Sequence, residues 1–364
     1  MRNETGLHVC FLTGGGDAPG LNAAIRAFVH VAYRRSIRVS ASRFGFEGLL
    51  GREPVVSLAL DDVRGILPLG GSVLGCSTTS NPFAALTAGP EAVNEASTRL
   101  RRRLEELSVD ALVLAGGDGT MRIAGALSEG GIACVGIPKT IDGDLGGTDH
   151  TCGMDTAVET ATRAIDSLHS TAEAHRRVMI VEVMGREAGW IALRAGMAGG
   201  ADVVLVPEIP YDIARVAAKI REREALGRRF SIVVLGEGAR PLGGGESEVE
   251  AAQAGRPARL GGAGNRLAHE LIAGGMEHDV RVTILGHLQR GGTPTASDRL
   301  LATRLGAHAA ELCASRHFGR MVTARGRHIE SVPLAHVPRA PATIDPTADL
   351  IRCARSIGIE LGAE

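Results

Sequence analysis

The sequence predicts an α/β protein made of two doubly wound domains with mainly parallel sheets. Three observations carry this. Short apolar runs recur along the chain and break into glycine-bearing turns. The intervals between them are long and carry helical spacing. Glycine fills 49 of 364 positions without a collagen period, about twice the usual share of roughly 7%. The surplus therefore belongs in turns and in backbone-lined ligand sites. Runs that are apolar throughout, rather than alternating, mark strands buried on both faces, as in parallel sheets.

The first run, residues 9–12, leads into Thr13-Gly14-Gly15-Gly16-Asp17, and residues 22–33 then show helical spacing. A second helical stretch, 96–107, precedes the run 111–115, which ends in Gly116-Gly117-Asp118-Gly119-Thr120. The run 132–137 ends in Pro138-Lys139-Thr140, and 178–183 ends in Met184-Gly185-Arg186. Later runs are 203–206, 232–235 and 282–285. Residues 238–264, with Gly-Gly-Gly, several acids and Pro257, read as a flexible insertion. Residues 336–347, with three prolines, read as a wrap-around connector. In such folds ligands lie at the carboxyl ends of strands, where these glycine loops fall.

Length and charge narrow the function classes. At about 150 residues per domain, 364 residues suit two domains or one large unit. A formal charge of −1 exerts no global pull on nucleic acid or membrane surfaces. No apolar run approaches the roughly eighteen residues of a membrane helix. Met1-Arg2-Asn3-Glu4-Thr5 lacks a signal-peptide pattern, so a cytoplasmic location is expected. Six cysteines with no C-x-x-C pair read as buried, reduced thiols. Of 40 basic residues only Lys139 and Lys219 are lysines. A chain that uses arginine nearly everywhere keeps Lys139 where a compact ammonium is needed.

Three loops and a group of arginines carry chemistry. Gly14-Gly15-Gly16-Asp17-Ala18-Pro19-Gly20 joins a strand to a helix, where backbone amides attract phosphate. It fits neither a Walker A loop nor a dinucleotide fingerprint. In Gly116–Thr120, an aspartate between glycines suits a hydrated magnesium ion better than it suits packing. In Pro138-Lys139-Thr140-Ile141-Asp142-Gly143-Asp144, an extended backbone would point both aspartates to one side. One could hold magnesium while the other accepts a proton from an attacking hydroxyl, with Lys139 as the cation beside a transferring phosphate. Arg176, Arg177, Arg186, Arg281 and Arg290, with His287, suit an anionic substrate.

Taken together, the blocks 12–22, 116–120, 138–144, 183–186, 207–208 and 286–292 resemble the phosphofructokinase family, in family order and over nearly the whole chain. The resemblance implies phosphoryl transfer to the 1-hydroxyl of fructose 6-phosphate, giving fructose 1,6-bisphosphate, with the site in the interdomain cleft. It implies a donor domain near 1–153 plus 289–339 and a sugar domain of 154–288 plus 340–364. Asp142 would be the base, and Lys139 and Arg186 would act beside it. Asp118 and Asp144 would hold Mg2+. Gly16, Thr78, Thr79, Gly117, Asp118, Gly119 and Thr120 would take the donor. Thr140, Met184, Gly185, Arg186 and Glu237 would line the sugar, and His287 and Arg290 would hold its 6-phosphate. Arg177 and Arg281 match arginines that reach a neighbouring subunit, implying a homo-oligomer, dimer or tetramer.

The donor splits this family between ATP and pyrophosphate. Gly119 stands where pyrophosphate users usually carry aspartate, which favours ATP, whereas Lys139 is more usual in pyrophosphate users. Thr78 replaces an arginine found in many relatives, and Lys139 is expected to supply that charge. At the positions of the family's bacterial effector site, Arg26 remains beside His30, His169, Leu226 and Asp202, so weak or absent control by ADP and phosphoenolpyruvate is expected. The alternatives are the pyrophosphate-dependent enzyme, a kinase of a related sugar phosphate such as sedoheptulose 7-phosphate, and a non-catalytic sugar-phosphate sensor.

Overall fold

The apolar runs form strands of two sheets, inner ones except for 203–206 and 282–285, which lie at the edges of the second. The computed structural model describes residues 6–83, 90–250 and 259–363. In chain order the strands begin with β1 (His8–Thr13), β2 (Arg38–Ser42), β3 (Val55–Ser57), β4 (Ala111–Gly116), β5 (Cys134–Thr140) and β6 (Cys152–Gly153). Then come β7 (Val178–Val183), β8 (Val203–Leu205), β9 (Ser231–Gly236), β10 (Glu248–Glu250), β11 (Arg259–Leu260) and β12 (Val280–Ile284). A late pair, β13 (Arg320–Arg325) and β14 (His328–Pro333), completes them. The helices are α1 (Leu21–Arg34), α2 (Pro90–Glu106), α3 (Asp118–Glu129), α4 (Met154–His175) and α5 (Trp190–Ala198). They continue with α6 (Ile213–Ala225), α7 (Ala263–Ala273), α8 (Ala296–Ala314) and α9 (Asp349–Ser356).

The chain divides into two units. The first comprises Met1–Ile141, Leu145–Asp155 and Arg290–Ala340. Its sheet runs β14-β13-β5-β4-β1-β2-β3, with β6 paired beside β5. The pairings are parallel except at the outer pairs β13–β14 and β2–β3. Successive residues of one strand enter opposite cores, as the period of two requires. Val9, Phe11, Val113 and Ile137 pack with α1 and α8 through Ile25, Phe28, Leu305 and Ala309. Cys10, Leu12, Leu112 and Leu114 pack on the other face with Leu100, Leu104, Met121 and Leu127 of α2 and α3.

The second unit comprises Asp142–Asp144, Thr156–Gln289 and Pro341–Glu364. Its sheet, β12-β7-β9-β8, is parallel throughout. Val178, Ile180, Val233 and Leu235 pack against Val216 and Ile220 of α6 and Leu267 and Leu271 of α7. Glu182 is the polar exception inside β7, only 2% exposed. Its two carboxylate oxygens accept from the amides of Gly262 at 3.0 Å and Gly264 at 2.8 Å. A carboxylate on the free amides at the start of α7 explains why an acid survives in an apolar strand.

Two expectations change in detail. Part of the insertion at 238–264 is regular, because β10 and β11 pair antiparallel and α7 has begun by Ala263. Residues 251–258, including Pro257, lie outside the described residues, as do Met1–Thr5. Of the cysteines, Cys10, Cys134, Cys152 and Cys313 are buried, Cys76 is half-buried and Cys353 is exposed. Burial raises the Cys10 and Cys313 thiols to about 12, so both stay protonated at neutral pH. Among the described residues, no helix is long and apolar enough to cross a membrane.

Candidate active site

In the first unit, connections from β1 go to one side of the sheet while β4 lies on the other, so the carboxyl ends of β1 and β4 flank the point where strand order reverses. The first two glycine loops meet there. The Gly14 amide donates to Ala115 O at 2.9 Å, and the Gly15 amide to Ser77 O at 3.2 Å. Gly14 passes so close to Thr120 that any Cβ would collide with its side chain. Glycine is thus required for the two loops to touch. Exposed Thr78 and Thr79 follow Ser77 directly, on the segment bonded to Gly15. Asn22, at the start of α1, fastens the neighbouring loop. Its amide donates to Leu69 O and Gly70 O, and its carbonyl accepts from Val73 N at 2.9 Å.

Lys139 enters this corner from β5, the strand beside β4. The side chain is 4% exposed, and its ammonium donates to Gly16 O. A Cβ on Gly15 would sit 3.8 Å from Lys139 Nζ, and one on Gly16 would strike the Arg290 guanidinium. Two cations therefore back one glycine loop. Burial pushes the Lys139 ammonium below its usual 10.5, and the Arg290 charge adds to this, while Cys76, Cys152 and Asp17 act against it. Gly117 caps α3 and Asp118 is its first residue, ion-paired with Arg122 one turn on. The Asp118 side chain is 18% exposed. A Cβ on Gly119 would meet nothing within 4 Å, so the space above it is open. A helix start and two cations beside a glycine loop form a cradle for an anion of phosphate type.

In the second unit the corresponding residues also follow strand ends. Met184-Gly185-Arg186 leaves β7, Glu237 leaves β9, and His287 lies beyond β12. The Glu237 amide donates to Val183 O at 2.8 Å, and Gly238 N to Gly185 O at 3.3 Å. Gln289, fully buried, ties these turns together. Its Oε1 accepts from Met184 N at 3.4 Å and its Nε2 donates to Gly286 O at 3.1 Å. Sequence reasoning missed Gln289 as a support, although it stands inside the 286–292 block. His287 is exposed.

Arg177 and Arg281 lie elsewhere. Arg177 precedes β7 and Arg281 is the second residue of β12, so both belong to the amino ends of strands whose carboxyl ends lead to Met184 and His287. Six residues of strand span about 20 Å. Both arginines pair with Asp279, at 2.7 Å and 3.1 Å, and the Arg177 hydrogen bond draws that carboxyl below its usual range. Within one chain the structure does not bring them to the edge occupied by Met184, Glu237 and His287.

Asp142 and Asp144 are half-buried, but not on an extended segment. Gly143 between them has φ 68°, so strand alternation does not decide where their side chains point, contrary to the expectation. The Asp144 carbonyl accepts from Ala342 N at 2.7 Å. Glu208, of the 207–208 block, has a structural task. Its carboxylate accepts from Gly189 N, at the start of α5, at 3.0 and 3.1 Å and from Ile344 N at 2.8 Å.

Of the expected effector-site positions, Asp202 is engaged internally. It pairs with Arg223 at 2.6 Å, with side chains only 11% and 14% exposed, and accepts from Ile232 N at 2.9 Å. His169 Nε2 lies 2.6 Å from Gly199 O, and Leu226 is 71% exposed.

A family model described as Phosphofructokinase matches residues 8–313. The ATP-dependent 6-phosphofructokinase of Chloroflexus aggregans is 48% identical over 355 residues, 97% of either chain. The pyrophosphate–fructose 6-phosphate 1-phosphotransferase of Streptomyces coelicolor is 45% identical over 343 residues, 93% of this chain and 97% of that one. Among solved structures, the phosphofructokinase of Saccharomyces cerevisiae matches with a TM-score of 0.73 at 32% identity. That match covers 90% of this chain, which spans 45% of the longer yeast chain. With half its length and more matched by the family model, and near-complete overlap with bacterial relatives, the chain belongs to the phosphofructokinase family.

Proposed function

We propose that the protein is an ATP-dependent 6-phosphofructokinase, transferring a phosphoryl group to the 1-hydroxyl of fructose 6-phosphate. The observation that carries this reading is the cradle at the strand-order reversal, where Gly14–Gly16, Gly117, Asp118 and Lys139 converge. The amino end of α3 and the Lys139 ammonium supply the positive potential for the oxygens on which charge builds during transfer. The absence of protein atoms within 4 Å of a Cβ on Gly119 supports a donor larger than pyrophosphate.

Asp142 takes the proton of the attacking hydroxyl, and Thr140, Met184, Gly185, Arg186 and Glu237 orient the sugar. His287 and Arg290 are assigned to its 6-phosphate. Among the described residues no group of three or more metal-ligating side chains gathers. Magnesium binds through one or two carboxylates and completes its shell with phosphates and water. Asp118 is the proposed ligand of the donor unit and Asp144 that of the other. When bound, the ion neutralises charge on the donor phosphates. Arg177 and Arg281, remote from the carboxyl edge of their own sheet, suit service to a neighbouring copy in a homo-oligomer.

Buried Lys139 favours a second reading, pyrophosphate as donor, since an ammonium on the loop serves either anion. Initial velocities with fructose 6-phosphate and magnesium, comparing ATP with pyrophosphate, decide between them. Turnover with ATP alone is expected, and turnover with pyrophosphate alone overturns the donor assignment. Turnover only with sedoheptulose 7-phosphate moves the acceptor instead.

A further inference from the structure

Trp190, the chain's single tryptophan, reads from sequence as a core residue, yet it is half-buried and its polar atom is engaged. Its indole Nε1 donates to Ala342 O at 2.9 Å. The amide of the same Ala342 donates to Asp144 O at 2.7 Å. Two residues further along, Ile344 N donates to Glu208 Oε1 at 2.8 Å, and Glu208 also accepts from Gly189 N, the residue before Trp190. Ile344 is 2% exposed and anchors the connector, while the Arg194 guanidinium stacks 5.5 Å from the indole centroid. The circuit closes on itself, from α5 through Glu208 and the connector back to Trp190, with Asp144 hanging from Ala342.

We propose that Trp190 and Ala342 form a clamp that fixes the position of the Asp142–Asp144 segment, making Trp190 a positioning residue for phosphoryl transfer. The segment needs an external hold. It belongs to no strand ladder and bends at Gly143 (φ 68°). A half-buried site that required only packing would be met by any apolar side chain. Here an indole N–H is directed at a connector residue whose amide holds the acidic segment. A base displaced by a fraction of an ångström lowers turnover without changing what the sugar or donor sites bind.

The inference rests on the reading of Asp142 as the base, and the test lets the two fail separately. Trp190→Phe keeps the ring and removes the N–H. Its kcat is expected to fall roughly five- to tenfold, the effect of one lost hydrogen bond, with KM for fructose 6-phosphate and for the donor within about twofold. Asp142→Asn is expected to abolish most turnover. Full activity in Asp142→Asn overturns the base assignment and the inference with it. A collapse there, combined with unchanged kcat in folded Trp190→Phe, overturns the clamp alone. Should Trp190→Phe not fold, the wild-type emission decides. Saturating fructose 6-phosphate with ADP is expected to shift the Trp190 spectrum, and an unmoved spectrum overturns the clamp.

Discussion

The ammonium of Lys139 donates to the carbonyl oxygen of Gly16, so the cation retained in an arginine-dominated chain is fixed beneath the first glycine loop. The guanidinium of Arg290 faces the same glycine. A lysine suits this place because a compact, buried point charge fits under backbone where a planar fork would not.

Lys139→Ala is therefore expected to lower kcat by roughly 10²-fold, as loss of one preorganised donor does elsewhere, with little change in KM for fructose 6-phosphate. Steady-state kinetics on both substrates checks this. Unchanged kcat would falsify the role given to the ammonium.

The pH dependence follows from the same burial. Desolvation, aided by Arg290, holds Lys139 below 10.5 in the free protein. The charge disappears as pH rises through that lowered value, so kcat/KM for the donor should decline on the alkaline side before 10.5. Between the two values the unfolded chain holds a proton the folded chain has released, so this group makes stability rise with pH across that window. The residual activity of Lys139→Ala should lack the alkaline limb, and a limb retained in that variant would assign it to another group.

Gly119→Asp tests the donor assignment without threatening the fold. A side chain there has free space, and an acid near the start of α3 is electrostatically welcome. Repulsion from the donor should lower kcat/KM for ATP about tenfold or more, while pyrophosphate is hindered less. An unchanged ratio between donors would remove Gly119 as a determinant.

Asp202→Ala leaves Arg223 buried without its carboxylate, an arrangement that costs about 3–5 kcal/mol in comparable pairs, so a melting temperature lower by several degrees is expected. Because Asp202 is committed internally, the wild-type fructose 6-phosphate curve should be hyperbolic and indifferent to phosphoenolpyruvate. A sigmoidal curve straightened by ADP contradicts this.

Much of this architecture is legible in the residues. Strands 9–12, 111–115, 132–137 and 178–183 announce themselves because both faces are buried, and their glycine endings mark the loops that carry chemistry. Strands β2, β13 and β14 are harder to read, since Arg38–Ser42, Arg320–Arg325 and His328–Pro333 mix polar with apolar residues near the sheet edges. The supports are harder still. Glu182, Glu208, Gln289 and Trp190 are defined by partners far along the chain, and no local period encodes a hydrogen bond across 80 or 152 residues. Gly143 shows the converse problem, because one positive φ cancels the alternation on which pairing Asp142 with Asp144 depends.

The position of β13 has a consequence for how the molecule is made. Its partner β5, which carries Lys139, pairs through Val135 and Gly136 with Arg320 and Met321. Between the two, translation must deliver Thr156–Gln289, the main segment of the other unit. Until then a nascent chain presents part of β5 as an open edge, with backbone groups ready to pair with any passing strand. The interval of greatest risk thus falls during synthesis, on the ribosome, and ends only when the late hairpin arrives to close the sheet.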